Sequence, residues 1–360
     1  MRNILLLIAD DLGRMTGCYG EKAIATPNID RLAESGTRFD MAFTSTASCS
    51  ASRSVIYTGL HTHETGQYGL NHDHHHFMTF DHVETAPALL NAAGMLTGII
   101  GKVHVGPDAA YPWQVRAESW ERDVRWAADR ASTFFESAEA EEKPFFLTIG
   151  FIDPHRDETR GGFGNDRAYP GVEDRVFSPE AISVPPFLTD LPEVRQELTD
   201  YYRSIYRLDQ GVGMVLDELE SAGLADDTLV VFLSDNGSPF LNSKTTLYDA
   251  GIHLPLIMRK PGGRAGVHNP NLVSFTDLCR PFSTGRATKS RAARERADPC
   301  CQSSKTKRFK MTGRPCSARI PSTRSPITGR HASCAPRVTN IIAMSPGSSI
   351  FRFPVISMAH

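Results

Sequence analysis

The sequence predicts an α/β fold, a mainly parallel β-sheet held between helical layers. Short apolar runs alternate with helically periodic segments through residues 1–279, the runs lack the in–out alternation of half-exposed strands, and several end directly in acidic or amide residues. Strands covered on both faces read as continuous apolar runs, and strand alternating with helix builds parallel sheets. Ligands in such sheets gather at the carboxyl ends of strands. Polar residues just past an apolar run are therefore the places to search for chemistry.

The elements follow in order. Asn3–Ala9 is apolar enough to imitate a signal segment, but Asp10-Asp11 follows at once with no small-residue cleavage site, so it reads as a buried first strand. Thr26-Pro27, Asn28–Ser35 and Gly36 supply a cap, a first-turn proline and a terminating glycine for a helix. A strand-like run precedes Cys49, and Ser54–Thr58 reads as helix. A helix over Pro87–Ala93, ended by Gly94, feeds the strand Thr97–Gly101, and Phe145–Phe151 is another buried run. Glu193–Ala222 carries Leu198, Tyr202, Ile205, Leu208, Val212, Leu216 and Leu219 at helical spacing and stops at Gly223. Thr228–Leu233 and Leu254–Met258 add two strands.

At 360 residues, 40% hydrophobic and 22% charged, the composition is that of an ordinary globular protein. A net charge of -2 argues against nucleic acid as an obligatory partner. No apolar run approaches the roughly 20 residues of a membrane helix. Of seven cysteines, only Cys18, Cys49 and Cys279 precede Arg280, too few for a disulfide framework, and the compartment stays open. Charge divides sharply: residues 280–360 hold 16 Lys/Arg against 2 Asp/Glu, leaving 23 against 39 for residues 1–279. Periodicity also collapses after Cys279. Two readings fit 280–360, a basic low-order tail or an out-of-frame translation. The codons favour the second, since a shifted frame across 280–289 permits an apolar continuation of Leu272–Cys279. No native role is assigned to that segment.

Asp10-Asp11 and Asp235-Asn236 each follow a predicted strand. Alone, either pair suits a solvated loop or a helix cap. Together, three carboxylates and an amide oxygen suit a hard divalent cation, Ca²⁺ or Mg²⁺. Cys49-Ser50-Ala51-Ser52-Arg53 opens a helix. Its cysteine reads as a small buried hydrophobe or as a thiolate favoured by the helix dipole.

A third reading comes from resemblance. Cys49–Arg53 is similar to the sulfatase signature Cys-x-Pro-Ser-Arg, with Ala51 where the family usually has proline. Asp10-Asp11, Ala25–Pro27, Thr58-Gly59, Asp153–Arg156, Asp209–Gly213 and Ser234–Gly237 extend the likeness over most of residues 1–279. Tyr68–Phe80 and Lys102–Pro107 resemble the heparan N-sulfatases (N-sulfoglucosamine sulfohydrolases) in particular. The resemblance implies an alkaline-phosphatase-like catalytic domain over 1–279, without the family's smaller C-terminal domain. It implies Ca²⁺ held by Asp10, Asp11, Asp235, Asn236 and the modified Cys49, with Cys49 oxidised to Cα-formylglycine by a formylglycine-generating enzyme. Arg53 would steady the formylglycine hydrate. Lys102, His104, His155 and Lys244 would contact the sulfate, Lys244 by its spacing from Asn236. His155 is the preferred proton donor, with His104 behind it.

The implied reaction is hydrolysis of the N-sulfate of glucosamine in heparan-type glycans, in relatives that act in lysosomes or outside the cytoplasm. The alternatives are an O-sulfatase, a phosphonate or phosphodiester hydrolase of the same superfamily, or a truncated non-catalytic product. His72, His74, His75 and His76 invite a zinc reading, but adjacent histidines diverge in direction. They read as a polar loop at the pocket rim, with His75 and His76 as sugar contacts. Trp113, Trp120 and Trp126 read as packing residues.

Overall fold

The computed structural model describes residues 3–157 and 161–279; the 280–360 segment lies outside them. The strands are β1 (Asn3–Ala9), β2 (Thr37–Phe43), β3 (Leu96–Gly101), β4 (Val115–Glu118), β5 (Phe145–Gly150), β6 (Thr228–Ser234), β7 (Leu256–Arg259) and β8 (Val267–Ser274). The helices are α1 (Pro27–Glu34), α2 (Cys49–Thr58), α3 (Thr62–Thr65), α4 (Ala86–Ala92), α5 (Val124–Ala140), α6 (Pro192–Ser221) and α7 (Asp249–Ile252).

One eight-stranded sheet runs in the order β4-β3-β5-β1-β6-β7-β2-β8. Only β7 opposes the rest, antiparallel to both β6 and β2. The sheet is therefore mixed and mainly parallel, the alkaline-phosphatase-like architecture expected. Its central strand β1 is buried throughout and sends alternate side chains to opposite faces. Leu5 and Leu7 join a core with α1, α5 and α6, whereas Ile4, Leu6 and Ile8 join one with α2 and α4. Each face of the apolar run thus has its own helical layer, which is why no alternation is visible in the sequence.

Three differences from expectation have physical reasons. Helix α1 starts at Pro27, but Thr26 makes no side-chain cap. Asp209 of α6 caps it instead, accepting from the amides of Asn28 (3.1 Å) and Ile29 (2.8 Å). Helix α2 begins at Cys49 itself, a turn earlier than the Ser54–Thr58 reading. The long α5 and the edge strands β4 and β8 carry too weak a pattern to be read from sequence. Among the described residues, no helix is long and apolar enough to cross a membrane.

Candidate active site

Strands β3, β5, β1 and β6 are neighbours and parallel, so their carboxyl ends share one edge of the sheet. Backbone hydrogen bonds carry the ladder one step further. Lys102 donates to the Gly150 carbonyl (2.7 Å), Asp10 to Asp153 (3.2 Å) and Asp235 to Ala9 (3.1 Å). Lys102, Asp153, Asp10 and Asp235 therefore stand side by side. Gly101, at φ 83°, lets the backbone turn here, where a Cβ would strike the Gly150 carbonyl oxygen.

Asp11 folds over this edge in the left-handed region, φ 65°, which Asp tolerates better than most residues. Its amide donates to Asp235 Oδ1 (3.2 Å). The buried Tyr201 hydroxyl of α6 reaches the carbonyls of Asp11 (2.6 Å) and Leu12 (2.7 Å) and holds that turn.

Helix α2 brings the signature to the same place. Cys49 and Arg53 are four residues apart and share one helical face. Cys49 Sγ lies 3.8 Å from Asp11 Oδ1. Arg53 is fully buried, with Nε donating to Asp235 Oδ2 (2.9 Å) and Nη1 to the Lys102 carbonyl (3.1 Å). Ala51 sits in the first turn, where helical amides lack an intrahelical partner, so alanine and proline both suit that position.

Three buried carboxylates meet three cations. Lys102 pairs with Asp10, Arg53 with Asp235, and Lys244 Nζ with Asp11 Oδ2 at 2.8 Å. Burial alone would raise the pKa of Asp10, but Lys102, His155, Arg53 and Lys244 outweigh it and hold the carboxyl well below the usual range. Asp235 goes the other way: burial and the nearby Asp10 charge push it up to about 7 against the pull of Arg53. Burial, with Asp10 beside it, raises the Cys49 thiol well above its ordinary value. The thiolate reading therefore loses to that environment despite the helix start.

The donor set fits a hard cation. Asp10 Oδ1 and Asn236 Oδ1 are buried oxygens without a hydrogen-bond partner, although buried polar atoms are normally paired. Asn236 Nδ2 meanwhile donates to Asp11 Oδ1 (2.7 Å), orienting its amide. Ligand atoms of Asp10, Asp11, Cys49 and His155 lie within 4.8 Å of one another. That group includes His155, which the sequence reading had assigned to the sulfate, and omits Asp235, whose oxygens serve Arg53 and the Asp11 amide.

The two histidines beside these charges differ. His155 Nδ1 donates to the Arg156 carbonyl (2.5 Å), which leaves Nε2 facing Asp11 Oδ2 at 3.8 Å. His104 is left-handed (φ 54°) and buried, and neither ring nitrogen has a partner. Burial and the Lys102 charge drive its pKa far down, so it stays neutral. His155 thus turns a ring nitrogen toward the acidic cluster, whereas His104 is neutral and unpartnered.

A cavity of about 860 Å³ opens above, lined by Cys49, Lys102, His104, His155, Lys244, His72 and His75 among others. His72 stacks on His104 at 4.9 Å. The exposed His76 is not among the lining residues. Trp113 packs against Tyr57 and Phe146, and Trp126 against the α5–α6 core, as read from sequence. Trp120 departs from that reading: it is 57% exposed and lines the cavity. Sequence reasoning also missed Arg122 and Arg207, which grip Asp153 through Nη1–Oδ1 (2.7 Å) and Nε–Oδ2 (2.6 Å) and brace the His155 segment. No local signal marks them, because the partners are 31 and 54 residues away.

Relatives share the sequence and the fold of this chain. Human N-sulphoglucosamine sulphohydrolase is 41% identical over 298 residues, covering 77% of this chain and 59% of its own. The chain spans between half and two thirds of the length of the curated relatives it matches. A protein solved with its substrate D-glucosamine-2-N,6-O-disulfate superposes with a TM-score of 0.61 at 22% identity, covering 78% of this chain and 76% of that one. The phosphonate monoester hydrolase of Agrobacterium radiobacter has the same fold, with a TM-score of 0.60, 18% identity and coverage of 78% and 73%. A sulfatase family model matches residues 2–282, and by that match, over the residues that carry the acidic strand ends and the Cys49 helix, the chain belongs to the sulfatase family.

Proposed function

We propose that this protein hydrolyses the N-sulfate of glucosamine in heparan-type glycans, using Ca²⁺ and a formylglycine made from Cys49. The observation that carries the reading is the meeting of a buried thiol, three carboxylates and three cations at the ends of adjacent parallel strands. The choice of N-sulfate is supported by the 41% identity to the human sulphohydrolase.

Asp10, Asp11, Asp235 and Asn236, with residue 49, would hold the cation. It would supply fixed positive charge facing the sulfate oxygens. Carboxylates and amide oxygens suit Ca²⁺, whereas a thiol is a soft intruder among them. Oxidation of Cys49 to an oxygen donor would remove that mismatch. A formylglycine at position 49 would supply the oxygen nucleophile for sulfur, and α2 would hold it beside Asp11 and Arg53. Cys49 is 1% exposed, so the modifying enzyme must reach it before the fold closes.

The chain's own residues do the remaining work. Three carboxylates pair with Arg53, Lys102 and Lys244, so a bound divalent cation would leave excess positive charge for the anionic N-sulfate and for the sulfate that leaves. Lys102 and Lys244 border the cavity and would touch sulfate oxygens as charge spreads over them. Asp11 and its neighbours hold Lys244 protonated against the effect of burial. Arg53 pulls the Asp235 pKa down against burial and would steady residue 49 from one helical turn away. His155 Nε2 donates the proton that the departing amine requires.

Assays in parallel on a glucosamine N-sulfate, a sugar sulfate ester and a phosphodiester test the proposal. Turnover of the sulfamate well above the other two is expected. Activity confined to the ester would make the protein an O-sulfatase, and activity confined to the phosphodiester would remove the sulfatase reading.

A further inference from the structure

We infer that Trp120 is the surface on which the sugar ring of the substrate rests, a specificity-determining role that the sulfate-gripping charges do not supply. The inference builds on the sulfoglycan reading above and adds a contact to the carbon skeleton.

Trp120 lies between β4 and α5 with charged residues on both sides, and 57% of it is exposed. Single exposed apolar residues are ordinary on convex surfaces. Trp120 instead lines the cavity that holds Cys49, Lys102 and His155. Its ring centroid is 5.4 Å from Lys102 Nζ and 5.4 Å from the His104 ring, which it meets at 78°. Lys102 in turn pairs with Asp10. The indole therefore stands one side chain away from the charges proposed to grip sulfate, about where the ring bearing that sulfate must lie.

The segment is anchored. The Ser119 amide donates to the Gly101 carbonyl (3.2 Å), the Glu121 amide to Ser119 Oγ (3.1 Å), and Arg122 Nη1 to Asp153 Oδ1 (2.7 Å). A fixed indole presents apolar area at little cost in entropy on binding. A pyranose has a matching surface, since its axial C–H groups make an apolar face within a rim of hydroxyls. Covering the indole with that face removes apolar area from water on both sides. The rim arginines point to the same division of labour. Arg116 pairs with Asp108 and Glu118, and Arg167 with Glu121, so the wall around Trp120 has its charge internally matched.

The rival role is purely local: the indole could steady the Lys102 ammonium through its π-face. Steady-state kinetics of the full-length, calcium-loaded enzyme and of Trp120→Ala and Trp120→Phe separate the two. The substrates are a disaccharide ending in N-sulfoglucosamine and a small acyclic alkyl sulfamate. Trp120→Ala should raise KM for the disaccharide about tenfold, with kcat nearly unchanged, leave KM for the alkyl sulfamate where it was, and be largely rescued by phenylalanine. An equal rise on both substrates would assign Trp120 to Lys102 and overturn the inference, as would no change on either. If the wild-type enzyme turned over neither compound, the hydrolase proposal would fail separately. Tryptophan fluorescence titrated with the unsulfated disaccharide would then decide: a response lost in Trp120→Phe supports the platform, and no response in the wild type ends it.

Discussion

Replacing Arg53 with methionine isolates the electrostatic debt of the site. Arg53 and Asp235 are both fully buried, so the carboxylate left behind cannot turn to water. Removing one partner of such a pair costs roughly 3–5 kcal/mol. At roughly 2–4 °C per kcal/mol for a domain of this size, the melting temperature in chelator should fall by roughly 6–20 °C. The loss should also depend on pH. Burial and Asp10 already push Asp235 up to about 7 while Arg53 pulls it down, so its pKa rises further in the variant. An unfolded Asp titrates near 3.9, and a raised folded value means stability that is present at low pH and lost as pH rises toward the folded pKa. The deficit of the variant should therefore be small near pH 5 and large near pH 8. Calcium offers replacement charge to Asp235, so it should raise the midpoint more in the variant than in the wild type. Thermal melts at both pH values, with chelator and with calcium, give all four numbers. A loss below about 1 kcal/mol that changes with neither pH nor calcium would refute the buried-charge account and with it the cation site.

Two further outcomes follow from other parts of the structure. The peptide containing residue 49 from active enzyme should weigh about 18 Da less than the cysteine form, as replacement of CH₂SH by an aldehyde requires; an unmodified mass at full activity would reject the formylglycine. Asp209, pushed up to about 6 by burial against the hydrogen bonds of Asn28 and Ile29, should weaken the fold as pH rises from about 4 to 6, by up to about 1.4 kcal/mol per pH unit. Asp209→Asn removes that slope, and denaturant unfolding curves that stay parallel for both proteins across this range would contradict it.

What could be read from the sequence depended on whether the cause was local. β1 and β6 are buried on both faces and therefore apolar through residues 4–9 and 229–233, and their ends are marked by the residues that follow, so Asp10-Asp11 and Asp235-Asn236 were visible. Cys49 and Arg53 were visible because one helical turn fixes their relation. Helix α5 was not, since the positions it buries are largely alanine (Ala127, Ala128, Ala131 and Ala138), which mark a helical face only weakly. Strand β8 was hidden for another reason: it is an edge strand with Pro270 inside it and Leu272 exposed.

The partnerships that could not be read share a different property, which is that each acts across the fold. Asp209 caps a helix 181 residues away, and Arg207 grips a carboxylate 54 residues away. No window on the chain contains both members of either pair. Trp120 is the sharper case, because the bland reading was sound on the residue alone. Tryptophans usually bury much of their rings, and Trp113 and Trp126 are partly buried against the two cores. What distinguishes Trp120 is that β3 and β4 run in register, Gly101 opposite Glu118. That pairing brings the residues following both strands together, so Lys102 and Trp120, 18 positions apart in the chain, meet at the sheet edge where Asp10 already stands. Parallel pairing made the charged cluster, and the same pairing places an aromatic surface beside it. If the charges grip the sulfate, their neighbour on the next strand is the residue that meets the sugar.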